Sequence, residues 1–286
     1  MIKINKLSQN MGAEIHNIDL SKPIDSNIFN MIKDIFFSNH LLVFKNQSLD
    51  AKQLVQFSQL FGVLDIHVKN EFHHTNFPEI LILSNKKNPD GSPIGFEDAG
   101  RYWHTDMSYT KQPPMASILL AIEIPNSGGD TYFCNMEKAY EDLSADTKKF
   151  LKSLKGIHSY QASFQGKTSA NKNRAKLSED QKKLLNEEIH PVIRSHEYTN
   201  KKSIYVNPGF TKAIKNKSPD ISRQILSDIY KHCLSDKYIY VYKWEKNDLV
   251  VWDNCSVLHH ATEYNKSETR HMLRTTIRGS APFYID

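Results

Sequence analysis

Short runs of β-branched and aromatic residues follow one another after Gly62, and turn residues such as PNSGGD (125–130) bound most of them. Runs of this kind predict β-strands. Many short strands interrupted by only a few helices favour a β-sandwich or barrel with helices packed outside, rather than alternating βαβ units. The runs are EILILS (79–84), ASILLAIEI (116–124), DTYFCN (130–135), SIYVN (203–207), YIYVYKW (238–244), DLVVW (248–252) and LRTTIR (273–278).

The chain before Gly62 has two helical patterns instead. The first has a start signal at Asp25 or Ser26, and the second extends from a candidate N-cap at Asp50 to a stop at Gly62. The run LLVFKN between them predicts a buried strand. Further helical stretches are predicted at roughly 136–154 and from about 218.

The composition is that of an ordinary globular protein that can bury a substantial core, with 39% hydrophobic and 24% charged residues among 286. No linker or internal repeat divides the chain, so we expect a single domain over residues 1–286. The formal charge of +5 is modest, and much of the basic excess lies in residues 167–183. This segment is also rich in small polar residues, which favours a solvated loop and helix start. Binding to nucleic acid is the weaker alternative, because no nucleic-acid motif accompanies the charge.

Three cysteines, with no CxxC pair among them, favour a reducing compartment. The first residues lack the apolar run of a signal peptide, and no stretch approaches the roughly 18 apolar residues of a membrane span. We therefore expect a cytoplasmic protein that does not bind membranes.

The segment RYWHTDMSY (101–109) holds His104 and Asp106 in an aromatic cluster. The two side chains could form a hydrogen-bonded polar pair, or they could be two ligands of a metal. A non-haem iron(II) oxygenase site needs two histidines and one carboxylate, with the opposite face open. The candidate for the missing ligand lies in WDNCSVLHHAT (252–262), where His259 and His260 are adjacent.

Two arginines, Arg270 and Arg274, follow in RHMLRTTIRG. If this segment is a strand, the two side chains share a face, because positions four apart have the same parity. Burying two guanidinium groups is costly unless anions meet them there. The pattern therefore predicts two anionic groups near one metal.

Four motifs, in their order along the chain, resemble the taurine dioxygenase family of iron(II)- and 2-oxoglutarate-dependent oxygenases. The likeness extends from MGAEIHNIDLSKPI through FGVLDIH to the closing APFY. The resemblance implies a mainly β fold with flanking helices around a double-stranded β-helix (jelly-roll) core. It also implies an enzyme that hydroxylates a small anionic substrate, such as a sulfonate, sulfate ester or carboxylate, with release of succinate and CO2. The motifs are WHTDMSY, GGDTYF, WDNCSVLHHA and RHMLRTTIRG.

The resemblance assigns the catalytic metal and the co-substrates to specific residues. His104, Asp106 and His259 match the family's ligands of Fe(II). Arg270 and Thr131 match the residues that hold the distal carboxylate of 2-oxoglutarate, which the enzyme consumes together with O2.

The same resemblance assigns residues to the substrate. Arg274, helped by His67, matches the position that holds the substrate's anionic group. Ser163, Phe164 and Phe210 match positions that wall the substrate pocket.

The chain departs from the taurine-type pattern around the substrate. Asn70 stands where those members carry a tyrosine, a substrate-binding position, and Ala99 and Gly100 replace a polar Asp-Asn pair. These positions contact taurine's amino group in the family, so the pattern favours an anionic substrate other than taurine. Arg101 and Arg278 match no functional position.

Two other functions fit the same residues. The oxidant of this family also supports desaturation, epimerisation or nitrogen oxidation in biosynthesis, and the ligand set does not separate these outcomes from hydroxylation. A jelly-roll protein that binds a metal or a small acid without turnover is the second alternative. A homo-oligomer is compatible with either function.

Overall fold

The computed structural model describes residues 2–97, 100–162, 178–180 and 186–286, which form strands β1–β16 and helices α1–α5. The strands are β1 (Lys3–Lys6), β2 (Ala13–His16), β3 (Leu41–Phe44), β4 (His73–His74), β5 (Phe77–Ser84), β6 (Ala116–Glu123), β7 (Thr131–Asn135), β8 (Lys155–His158), β9 (Glu188–Pro191), β10 (Ile193–Ser195), β11 (Lys202–Ile204), β12 (Thr211–Ile214), β13 (Ile239–Tyr242), β14 (Leu249–Asp253), β15 (Val257–Ala261) and β16 (His271–Ile277). The helices are α1 (Ser26–Asn39), α2 (Ala51–Gln59), α3 (Met136–Glu141), α4 (Ala145–Lys152) and α5 (Pro219–Cys233).

The largest sheet has eight strands in the order β1-β2-β3-β14-β6-β16-β5-β4. Its pairs are antiparallel except for β2 with β3. Two three-stranded sheets, β13-β7-β15 and β12-β8-β9, and the pair β10-β11 complete the strands of the described residues. Many of these neighbours are distant in sequence, so the chain crosses repeatedly between the sheets.

The two faces of the eight-stranded sheet belong to different parts of the core, as strand alternation requires. Ile118 and Leu120 of β6 pack in the cluster that contains the buried faces of α1 and α2. Leu119, between them, packs with Phe133 of β7 and Val257 of β15. The large sheet is therefore covered by helices on one face and by the sheet β13-β7-β15 on the other. This arrangement matches the predicted sandwich with helices packed outside.

Most predicted elements are present, with two corrections. The predicted helix over 136–154 is interrupted, because Ser144 caps a new helix, α4, with its hydroxyl accepting from the Thr147 amide. The predicted strand SIYVN ends at Ile204. Beyond it the side chain of Asn207 accepts from the Phe210 amide, which closes a turn that a continuing strand could not make.

One further prediction, for the basic segment, concerns mostly residues that the structure does not describe. The expectations for the cysteines and for membrane-spanning helices can be compared with the structure. Of the basic segment 167–183 only residues 178–180 lie within the described ranges, so its solvated loop stays a prediction. Cys134, Cys233 and Cys255 are all buried free thiols. In the part of the chain that the structure describes, no helix has the length and apolarity needed to cross a membrane.

A buried network of ion pairs joins the end of α1 to strand β14 and to helix α3. His40 caps α1 in the left-handed conformation, and its Nδ1 lies 3.5 Å from the Asp253 carboxylate. Its Nε2 lies 3.6 Å from the Glu137 carboxylate. Burial alone would lower the pKa of His40, but hydrogen bonds to these two carboxylates outweigh burial and raise the pKa to about 9.

The raised pKa of His40 predicts a stability that declines at alkaline pH. Because the folded value lies above the unfolded value of 6.5, the contribution is complete below about pH 6.5 and is lost as pH rises through about 9. We expect the free energy of unfolding to fall by up to about 3 kcal/mol over this interval. Urea denaturation at a series of pH values between 6.5 and 9 measures this fall in the free energy of unfolding. The His40→Asn protein should be less stable at pH 6.5 and show a flatter profile; an equal slope in both proteins would contradict the assignment.

Candidate active site

Two backbone hydrogen bonds bring the histidines of distant segments together. The His104 amide donates to the His259 carbonyl at 3.0 Å, and the His259 amide donates back at 2.7 Å. The pair attaches the segment before β6 to strand β15, so it joins the large sheet to the small one. The centroids of the two imidazole rings are consequently only 4.1 Å apart.

Asp106 completes a buried group of three donors with these histidines. Its Oδ1 lies 3.7 Å from His104 Nε2 and 3.8 Å from His259 Nε2. One donor atom from each residue lies within 4.8 Å of the others. The His104 Nδ1 is 2.7 Å from the Tyr102 carbonyl, so Nδ1 carries the proton and Nε2 presents its lone pair to the group. Two imidazole nitrogens and one carboxylate oxygen fit an Fe(II) ion.

The electrostatics keep Asp106 and His259 in their ligating forms. Burial alone would raise the pKa of Asp106, but the charge of Arg274 holds it well below its usual range. Burial lowers the pKa of His259 well below its usual range, so its imidazole is neutral. A carboxylate and a neutral imidazole are the protonation states that bind a metal.

Residues that the sequence analysis missed orient the Asp106 carboxylate. The Ser117 hydroxyl donates to Asp106 Oδ2 at 2.6 Å and accepts from the Asn254 side-chain amide at 3.0 Å. Trp252 Nε1 donates to the oxygen of that amide at 3.1 Å. Ser117 is a buried polar residue near the start of a strand whose other residues up to Ile122 are apolar, and this departure from the pattern is the signal that could have identified it.

His260 faces away from the donor group. Its ring packs against Trp103 and Tyr132, with centroid distances of 5.6 and 6.1 Å. Successive side chains of β15 point to opposite sides, which is why His259 rather than His260 reaches Asp106.

Arg270 and Thr131, the predicted keto-acid residues, are both buried, and Thr131 pairs with Ala261, two residues beyond His259 in β15. The Arg270 guanidinium has no hydrogen bond or ion pair with any described residue. Burial, to which the charge of Arg101 adds, lowers its pKa to about 10. The Thr131 oxygen accepts from Trp244 Nε1 at 2.9 Å, which leaves its hydroxyl proton free to donate elsewhere. Gly129 leaves the space beside Arg270, where a Cβ would lie 3.4 Å from Nε.

A small cavity of about 40 Å³ adjoins the donor group. Arg274 and His67 line it together with His104 and Asp106. The rest of its wall is largely aromatic: Phe96, Tyr102, Tyr109, Tyr160 and Phe210. Gly100 also lines it, in the left-handed region at φ 76°, and a Cβ there would lie 3.0 Å from His104 Cε1. The cavity therefore combines a cationic end with an apolar body.

The structure brings some predicted substrate residues to this cavity and not others. His67, Phe210 and Arg274 line it, whereas Asn70 is exposed at the start of a 3-10 turn and lies outside the lining. Ser163 and Phe164, like Ala99, lie outside the described residues. For these positions the roles taken from the resemblance stay predictions.

Arg274 and His67 are suited to an anion. Arg274 Nη1 donates to Asp106 Oδ1 at 3.0 Å, while its Nε is buried without a partner among the described residues. The His67 Nδ1 accepts from the Lys69 amide at 3.1 Å, so the ring proton resides on Nε2. Burial and the charge of Arg274 lower the pKa of His67 to about 3, which keeps the ring neutral and able to donate one hydrogen bond.

The two unassigned arginines differ in position. Arg278 is half exposed and donates from Nε to Asp65 at 2.6 Å, away from the cavity. Arg101 is nearly buried, and its guanidinium carbon lies 5.4 Å from the centroid of the Tyr264 ring.

Comparison with known proteins agrees with this geometry. Residues 3–276 match the family model described as taurine catabolism dioxygenase TauD, TfdA family. The chain is 30% identical over 250 residues to the alpha-ketoglutarate-dependent 2,4-dichlorophenoxyacetate dioxygenase of Burkholderia sp. (strain RASC), covering 84% of this chain and 82% of the relative. It is also 30% identical over 294 residues to the alpha-ketoglutarate-dependent sulfonate dioxygenase of Saccharomyces cerevisiae, covering 98% and 68%.

A solved structure, a taurine dioxygenase from Burkholderia xenovorans, superposes with a TM-score of 0.81 at 29% identity. The match covers 98% of this chain and 90% of the other. This likeness confirms the predicted mainly β fold class with a jelly-roll core and flanking helices.

The orientation of the adjacent histidines predicts unequal effects of their removal. We expect His259→Ala to weaken Fe(II) binding by more than the roughly 10- to 100-fold that loss of an outer partner costs, because a donor atom is lost. His260→Ala should change the affinity little. Anaerobic metal titration of both proteins measures this. Equal losses, or a larger loss for His260→Ala, would contradict the orientation.

The hydrogen bond from Ser117 to Asp106 predicts a loss of Fe(II) affinity that is smaller than the loss expected for His259→Ala. Ser117→Ala removes the donor that fixes Asp106 Oδ2, and we expect Fe(II) affinity to fall roughly tenfold. Ser84→Ala is the matched control, since it removes a hydroxyl equally buried in another strand of the same sheet. Metal titration with thermal denaturation of each apoprotein separates affinity from folding. An unchanged affinity in Ser117→Ala would show that the carboxylate is oriented by other contacts.

Proposed function

The chain belongs to the TauD/TfdA family and is an Fe(II)- and 2-oxoglutarate-dependent dioxygenase, and on this premise we propose that it hydroxylates a small organic anion with an apolar body. Family membership sets aside the alternative of a binding protein without turnover. The observation that carries the proposal is the buried Arg274 guanidinium, which lines the cavity directly beside the three-donor group.

We propose that His104, Asp106 and His259 hold the Fe(II). Support comes from the convergence of two Nε2 atoms and one Oδ1 atom in a buried position, with the proton of His104 committed to the Tyr102 carbonyl. When bound, Fe(II) supplies the activation of O2 that drives oxidation of the substrate. The protein's part is to keep the donors oriented and deprotonated, which Ser117 and the charge of Arg274 support.

Arg270 and Thr131 are assigned to the distal carboxylate of 2-oxoglutarate. A buried guanidinium without a carboxylate partner is costly unless an anion reaches it, and its fork matches a carboxylate in two hydrogen bonds. The Thr131 hydroxyl can donate a further hydrogen bond, because its oxygen already accepts from Trp244. Release of succinate and CO2 follows from consumption of this keto acid.

Arg274 and His67 are assigned to the anionic head of the substrate. One N–H of Arg274 donates to Asp106, and its other N–H groups can donate to the substrate. The neutral His67 ring can donate a further hydrogen bond from Nε2–H. The aromatic wall, which includes Tyr109 and Phe210, then favours an apolar body between the head and the metal. The substrate class is thus a sulfonate, sulfate ester or carboxylate. The two relatives, named for a sulfonate and an aryloxyacetate, act on substrates of this kind.

We further propose a single dioxygenase domain over residues 1–286, supported by a family match that spans residues 3–276. A cytoplasmic location is supported by three buried cysteines without a disulfide. Partners other than the small-molecule substrate and copies of this chain, such as nucleic acid or a membrane, have no support in the chain's motifs.

A substrate screen tests the proposal. Sulfonates, sulfate esters, phosphonates, carboxylates and amino acids are offered with Fe(II), 2-oxoglutarate and O2, and succinate formed per product is measured. We expect an apolar anion to couple best, and Arg274→Leu to lower its kcat/KM by about 10- to 150-fold through loss of a buried charge-assisted contact. Because Arg274 also donates to Asp106, Fe(II) affinity of the variant is measured by anaerobic titration, and kcat/KM is compared at saturating Fe(II).

Arg278→Leu is the control, because it removes a guanidinium that is half exposed and paired with Asp65. If a neutral compound is the best substrate and Arg274→Leu leaves its turnover intact, the anion-docking assignment is wrong.

A further inference from the structure

Tyr109 is a buried tyrosine in the wall of the cavity beside the donor group. Its side chain is only 2% exposed, and it lines the cavity together with Phe210 and Arg274. Its hydroxyl makes no hydrogen bond with any residue in the described ranges. A buried hydroxyl that no protein group meets is costly unless water or a ligand meets it. Tyr109 is therefore more than an apolar part of the wall.

The residues on either side of Tyr109 are anchored by hydrogen bonds. The Ser108 hydroxyl accepts from the Asn207 side-chain amide at 3.0 Å. The Thr110 amide donates to the Met107 carbonyl at 2.9 Å, and this closes a turn in which Met107 adopts a left-handed φ of 47°. The backbone of Tyr109 is thus held between two fixed neighbours.

Two aromatic rings also hold the ring of Tyr109. The Phe210 ring meets it in an edge contact with 4.7 Å between centroids, and the Tyr160 ring meets it edge-on at 5.1 Å. Both rings belong to the wall of the cavity. A tyrosine hydroxyl lies on the long axis of its ring, so rotation of the ring about that axis does not move it. With backbone and ring both held, the hydroxyl of Tyr109 has a defined position.

The groups that act on the Tyr109 hydroxyl indicate on which side of the cavity it lies. Burial raises the pKa of Tyr109 well above its usual range, and Tyr160 and Tyr102 affect this pKa more than Arg274 or Asp106 do. Electrostatic interactions weaken with distance. Together with the ring contacts, this order places the hydroxyl nearer to the aromatic wall than to the guanidinium assigned to the anionic head.

Resting on the proposed function, we propose that Tyr109 determines substrate specificity by donating a hydrogen bond to an uncharged oxygen of the substrate. Arg274 and His67 are assigned to the anionic head, so this oxygen is a second acceptor. The bridging oxygen of a sulfate ester and the ether oxygen of an aryloxyacetate are acceptors of this kind. A substrate with a methylene group in that place leaves the buried hydroxyl unpaired. The inference thus separates sulfate esters and aryloxyacetates from alkyl sulfonates.

The experiment compares two pairs of anions whose members differ only in an oxygen or a methylene group. The pairs are hexyl sulfate with heptane-1-sulfonate, and phenoxyacetate with 3-phenylpropanoate. Calorimetry measures their dissociation constants on the full chain loaded with Mn(II) and 2-oxoglutarate, without O2. We expect Tyr109→Phe to weaken binding of the oxygen member roughly two- to tenfold in at least one pair, and to leave the methylene member unchanged.

Tyr205→Phe is the matched control, because Tyr205 is as deeply buried as Tyr109 and does not line the cavity. It should leave all four affinities unchanged. Equal losses for both members of each pair in Tyr109→Phe overturn the inference, because the hydroxyl then meets the anionic head or supports packing. No loss for any member overturns it as well. Failure of the unchanged protein to bind any of the four anions overturns the proposed substrate class instead, and no variant result can mimic that failure.

Discussion

The site depends on the reciprocal pair of backbone hydrogen bonds between His104 and His259. This pair joins the segment that leads into the large sheet to strand β15 of the small sheet. Because backbone atoms make the connection, the two histidine backbones are held together without any side-chain contact, and the hydrogen bond from His104 Nδ1 to the Tyr102 carbonyl then orients the His104 ring. The carboxylate of Asp106, two residues further, then has a defined place from which to meet both rings, and the apolar layer between the sheets holds the whole group in register.

A second constraint is the number of buried charges that the fold must accommodate near this pair. Arg274 meets Asp106, so that cation and anion offset each other in a position from which water is excluded. Arg270 has no such counterpart among the described residues. The unpaired charge belongs to the residue that we assign to the anionic co-substrate, and it would be costly in a protein that never bound an anion there. The distribution of charge thus carries functional information that the fold alone does not.

The sequence predicted the parts of this site that are encoded locally or at a fixed family spacing. His104 and Asp106 share one motif, and the strand runs of the sandwich follow the alternation of their own side chains. Asn254 was missed because its contacts with Asp106 and Ser117 join segments more than a hundred residues apart. Ser117 was missed because only the fold brings its hydroxyl onto the carboxylate of Asp106. Asn70 was placed by alignment with a family position, yet a 3-10 turn exposes it. The end of the strand at Ile204 was missed because a side-chain turn at Asn207 competes with strand continuation.

The hydrogen bond from Ser117 to Asp106 has a consequence for coordination number. Ser117 donates to Oδ2, whereas Oδ1, which accepts from Arg274, is the oxygen recorded near both imidazoles and would be the one to meet a metal. A carboxylate that chelated through both oxygens would take a further position in the coordination sphere. A serine hydroxyl on a neighbouring strand that competes for Oδ2 would therefore favour coordination through one oxygen, which would leave positions for exogenous ligands.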